Sequence, residues 1–144
     1  MMQEDTIRLL RECDTGTQMG YDALHEVCDN VKNPAFKQRL ETGMQEHQAL
    51  QAEVRTVLNA NGQTGKDPSP IAKGMSWLKT NAELLMKGSD DTVADLITDG
   101  CNMGVKTVSR HLNRCSDADT KVKDIAQRLI QSEEKLAVDI RQYL

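Results

Sequence analysis

Aromatic side chains are nearly absent from this chain: Phe36, Trp77, Tyr21 and Tyr143 are 3% of its 144 residues. A β-sandwich or barrel draws its core from aromatic and β-branched residues, so that scarcity argues for an aliphatic, methionine-rich helical core. Long apolar runs are also missing. No stretch approaches the roughly 18 residues a membrane helix needs, and the mean hydropathy is −0.57. The start, MMQEDTIRLLRE, puts acidic residues where a signal peptide has its apolar region, so a cytoplasmic protein with no membrane partner is expected. There is no excess of positive charge. The 18 Lys and Arg against 22 Asp and Glu give a net charge of −4, which argues against a nucleic-acid partner. None of the four cysteines (Cys13, Cys28, Cys101, Cys115) lies in a C-x-x-C pair, so free thiols are expected. No phosphate-binding glycine loop, HExxH or G-x-S-x-G occurs. A chain of this length builds one core, so residues 1–144 read as a single domain.

What is present is helical periodicity. Ile7, Leu10, Asp14, Thr17, Tyr21, Leu24, Cys28 and Val31 step by three and four, tracing one helix face before Asn33-Pro34. Phe36, Leu40, Met44, His47, Leu50, Val54 and Leu58 form a second stripe that stops at Asn59-Ala-Asn-Gly62. Residues 59–70 form a polar connection. Ser69-Pro70 reads as the start of a shorter helix carrying Trp77, Leu78, Leu84 and Leu85. Val93, Ile97, Cys101, Gly104, Val108 and Leu112 mark another long helix, and Val122, Ile125, Leu129, Glu133, Leu136 and Ile140 the last. The spacing predicts helices over 5–31, 34–60, 70–87, 90–115 and 117–144. This is an all-α four-helix bundle with a short crossover helix between the second and third long helices.

An internal repeat underlies the pattern. Gly16-Thr-Gln-Met-Gly20 recurs as Gly100-Cys-Asn-Met-Gly104, 84 residues later. At an offset of 86, Phe36 falls on Val122, Leu40 on Ala126, Met44 on Ile130, His47 on Glu133 and Val54 on Ile140. The halves read as duplicated helix hairpins. Glycine inside a helix costs about 1 kcal/mol relative to alanine. Gly16, Gly20, Gly100 and Gly104 are therefore expected where two long helices cross closely.

Two hairpins joined by a crossover resemble the ferritin-like superfamily. The details are similar to small bacterial ferritin-like bundle proteins whose di-iron site is degenerate: the acidic-glycine-tyrosine stretch from Asp14 to Tyr21, Asn33-Pro34 before the second helix, and Trp77 in the crossover. The resemblance implies a fold and directs attention to the centre of the bundle. A di-iron site there takes a Glu from each of two helices and a Glu-x-x-His from each of the other two. This sequence has Met44-x-x-His47 and Ile130-x-x-Glu133, with Thr17-Gln18 and Cys101-Asn102 at the centres of the other two helices.

Two readings follow. In the first, His47 and Glu133 are a buried polar pair sharing a layer with Thr17 and Cys101, no cofactor is expected, and the chain is a non-enzymatic structural, interaction or stress-associated module. In the second, His47, Glu133 and Cys101, with Asp14 as a further donor, form a mononuclear transition-metal site for zinc or iron in a metal-binding or oxidoreductase protein. A ligand-binding bundle is a third class, since Met19, Met44, Met75, Met86 and Met103 supply either core filling or adaptable apolar surface. His25 with Cys28 and His111 with Cys115 share helical faces but offer two donors each, half of a structural zinc site. The apolar residues Ile71, Met75, Trp77, Leu78, Leu84 and Leu85 of the crossover point to a homodimer.

Overall fold

In the computed structural model, residues 3–63 and 88–144 are described. The first helix, α1 (Glu4–Cys28), opens with Glu4 and Asp5, whose charges suit the positive end of the helix dipole. It stops three residues short of the expected end. The reason is the next start: the Asn33 side chain accepts from the backbone N–H of Ala35 and Phe36, and Pro34 takes the first turn of α2 (Pro34–Ala60). Past α2, Gly62 has φ +71°, the left-handed conformation that lets the chain leave the helix axis.

α3 (Asp90–Arg114) begins with Asp90 and Asp91 and ends with His111 and Arg114, again complementing the dipole. α4 runs from Thr120 to Asp139 and finishes in a 3-10 turn, Arg141–Tyr143, where Ile140 caps the helix. It is shorter at both ends than the 117–144 expected, because the turn before it is tied to α1. There Asp117 N–H donates to the Asp5 carboxylate and Asp119 N–H to the Thr6 hydroxyl. The expected helix over 70–87, and with it the Trp77 patch on which the homodimer expectation rests, lies outside the described residues. Among the described residues there is no strand, and no helix is long and apolar enough to cross a membrane.

The loop ties fix the topology. Asp90 accepts from the backbone N–H of Lys32 and Asn33, both at 2.9 Å, so α3 starts at the α1–α2 turn. The α3–α4 turn lies at the opposite end, beside the start of α1. Each hairpin is thus antiparallel, α1 is antiparallel to α3, and α2 to α4. Gln63, at the far end of α2, accepts from Arg11 of α1.

Two hydrophobic clusters fill the bundle. One contains Leu24, Val27, Phe36, Leu40, Val93, Ile97, Leu136 and Ile140; the other contains Leu9, Leu10, Val54, Leu58, Val122, Ile125 and Leu129. Between them the helices present buried polar groups: Asp14, Thr17, His47 and Glu133. The apolar positions of every stripe are near the axis, but the middle of the bundle is a polar layer.

Candidate functional site

His47 on α2 and Glu133 on α4 meet in that layer. The register between the two antiparallel helices sets Phe36 against Tyr143, Arg39 against Asp139, Glu46 against Ser132 and Glu53 against Arg128. The position at which a residue faces the one 86 further along the chain is therefore 47 opposite 133. His47 Nε2 lies 2.8 Å from Glu133 Oε1, and its Nδ1 lies 2.7 Å from the carbonyl of Gly43, one turn back on α2. The side chains are 1% and 9% exposed.

Burial alone pulls the imidazole toward its neutral form. The hydrogen bond to Glu133, that carboxylate's charge, the Gly43 carbonyl and the charge of Glu46 together outweigh it and hold the His47 pKa above its ordinary value. Both ring N–H groups then donate, Nδ1 to Gly43 and Nε2 to Glu133. Cys101 on α3 lines the same cleft as that carboxylate. Burial first, and then the neighbouring Glu133 carboxylate, push its thiol pKa far up, so it stays protonated.

Gly20 and Gly104, the matching second glycines of the repeat, stand against this trio. A Cβ at Gly20 would overlap the His47 ring and come within 3.3 Å of Glu133 Oε1, while a Cβ at Gly104 would lie 3.4–3.5 Å from the Glu133 carboxylate. At Gly16 it would meet Leu129 at 3.4 Å and Val108 at 3.7 Å. The four glycines do fall between α1 and α3, where they line a cleft, but the nearest atoms at Gly16, Gly20 and Gly104 are side chains, and only at Gly20 does the polar pair leave no room for a Cβ. The repeat carried the signal for the right residues; without the pair's rotamers, the pattern could not say what the space holds.

His47, Glu133 and Cys101 line one cleft, whereas Thr17 and Asp14, in the same buried layer, turn their polar atoms to other partners. Thr17 is buried, yet its hydroxyl donates within α1 to the carbonyls of Cys13 and Asp14, both at 2.9 Å. Asp14 accepts from Arg55 Nε at 2.9 Å and belongs to the polar seam between α1 and α2. His25 stacks on Tyr21, while the Cys28 thiol points to the Lys37 carbonyl and the Glu41 carboxylate at 3.7 and 3.9 Å. His111 pairs with Glu12 at 3.3 Å, and Cys115 is fully buried. All four cysteines are free thiols.

No family model and no curated protein matches the sequence. Among solved structures, the chain is similar to Dps from Thermosynechococcus elongatus, with a TM-score of 0.72 at 13% identity over 97% of this chain and 90% of that one. At so low an identity the likeness concerns the backbone. Two antiparallel hairpins, each helix burying one stripe, and a superposition over nearly the whole length together show that this chain has the ferritin-like four-helix-bundle fold.

Proposed function

We propose that the chain is a non-enzymatic member of this fold, a structural or interaction module in which a hydrogen-bonded His–Glu pair braces the position where a di-iron centre would sit. The observation that carries the reading is that both ring nitrogens of His47 already have partners, Nδ1 at 2.7 Å from the Gly43 carbonyl and Nε2 at 2.8 Å from Glu133 Oε1. A metal needs a neutral imidazole with a free lone pair, so it would have to displace a proton and the Glu133 hydrogen bond together. The donor set also argues against two metals. Met44 and Ile130 stand three residues before His47 and Glu133, and Gly20 and Gly104 face the pair, so one carboxylate and one imidazole replace the four carboxylates and two imidazoles of a di-iron site. Among the described residues, no group of three or more His, Cys, Asp or Glu side chains is arranged to hold a metal.

A second reading has one observation in its favour. His47, Glu133 and Cys101, drawn from three helices, do converge. A zinc or iron ion displacing the imidazolium and thiol protons would turn the brace into a mononuclear site. Metal analysis of protein grown with added iron and zinc separates the two. The brace predicts metal well below one ion per chain, unchanged in His47→Gln. One ion per chain, lost in that variant, would establish the metal site instead.

A further inference from the structure

A cleft lies between α1 and α3. Among the described residues it encloses about 480 Å³, within the range of small-molecule sites. Gly16, Gly20, Gly100 and Gly104 line its walls, and Glu133 with His47 forms its floor. Leu24, Ile97, Val108 and Leu136 supply its apolar wall, and Glu12, Arg110 and His111 also line it.

Among the described residues, nothing packs against Gly16 or Gly104 closely enough to require glycine. Gly20 has to lack a side chain because His47 fills the space, but a Cβ at Gly16 or Gly104 would make only ordinary contacts of 3.4 Å or more. Helix interiors favour alanine over glycine. At Gly104 the room kept clear lies directly before the Glu133 carboxylate. Among the described residues, that carboxylate is a buried polar group of the cleft with acceptor capacity to spare. It has about four acceptor positions, and among the described residues it accepts from the His47 ring. Met19 and Met103 also line the cleft, and Met103 is 40% exposed; their unbranched side chains adapt to an occupant's shape.

We infer that the α1–α3 cleft binds a small neutral apolar alcohol, its hydroxyl donating to Glu133 and its hydrocarbon body lying along the glycine-lined walls. The chemistry of the floor selects this class. A carboxylate ligand would meet Glu133 as a like charge, and an ammonium would meet the imidazolium of His47 beside it. A hydroxyl donates to Glu133 and brings no charge. The inference rests on the preceding reading only in taking Glu133 as metal-free.

The test uses chelator-treated full-length protein, with 1-octanol and octanoate as probes and 13C-methyl methionine spectra and thermal melting as readouts. Metal content, measured separately, reports on the brace reading and leaves this one standing or falling on its own. Octanol should shift the Met19 and Met103 methyl signals saturably and raise the Tm, whereas octanoate should do neither. Gly104→Ala, which fits the backbone and adds a methyl in front of Glu133, should melt no lower than the parent yet weaken octanol binding at least tenfold. Equal responses to the two probes, no response to octanol, or parental affinity in Gly104→Ala would each overturn the assignment.

Discussion

Gly20 on α1 is the counterpart of His47 on α2: a Cβ on the first would occupy the space of the second's imidazole ring. The brace therefore depends on three helices, with α2 and α4 supplying the pair and α1 the room. Gly20→Ala should cost about 2 kcal/mol or more, since either the ring leaves its rotamer or α1 moves outward. Gly16→Ala, one turn earlier and with only van der Waals neighbours, should stabilise by up to about 1 kcal/mol through helix propensity. Urea denaturation of the two variants checks the contrast, and equal effects would show that the pair does not need Gly20.

Glu133→Ala leaves a buried imidazolium without its acceptor and should destabilise the fold by about 3 kcal/mol or more. Replacing both partners with apolar residues, His47→Leu with Glu133→Met, should cost much less than the two single changes added together, because the desolvation of each charge disappears with it. A double-mutant cycle on unfolding free energies reads this directly. Additive single effects would mean that the two side chains are not coupled.

The pH dependence follows from the raised His47 pKa. A group that binds its proton more tightly folded than unfolded contributes its full stabilisation below the unfolded value, near 6.5. That contribution is lost as pH rises through the folded value. Unfolding free energy should decline as pH is raised from about 6.5, and Glu133→Gln should flatten the decline. A stability that rises across the same interval in the parent but not in that variant would contradict the imidazolium form.

The cysteines should be inert in the native state. Burial, followed by the charges of Glu12, Cys115 and Asp14, pushes the Cys13 thiol up to about 12, and Cys101 is raised by burial and Glu133. Iodoacetamide at neutral pH should leave both unmodified until denaturant is added, as peptide mass mapping would show. Rapid native labelling of Cys101 would mean that Glu133 does not hold its proton.

Asp90 is the tie between the second hairpin and the turn of the first, accepting the backbone N–H groups of Lys32 and Asn33. Asp90→Ala should cost about 2 kcal/mol, whereas Asp91→Ala should cost less. Hydrogen exchange at Lys32 and Asn33 should rise in Asp90→Ala alone.

The spacing of Leu10, Leu24, Leu40, Val54, Val93, Val122 and Ile140 by itself determined four long helices and which face of each goes inward, because burial of one apolar stripe per helix is a local property repeated along the chain. The offset of 86 residues likewise placed His47 and Glu133 on matching positions, and burying either charge alone would cost too much for them to stay apart. What surrounds the pair was decided only by tertiary structure. Thr17 sits on the inward stripe, yet its hydroxyl is spent on the α1 carbonyls. Asp14 does too, yet Arg55 from α2 claims it at the seam. Whether two glycines bring helices together or hold a cleft open depends on the size and direction of side chains from other helices, here the His47 ring and the Glu133 carboxylate. A one-dimensional pattern records which face a residue occupies, but the partner it meets is fixed by rotamers and interhelical distances that exist only in the folded chain.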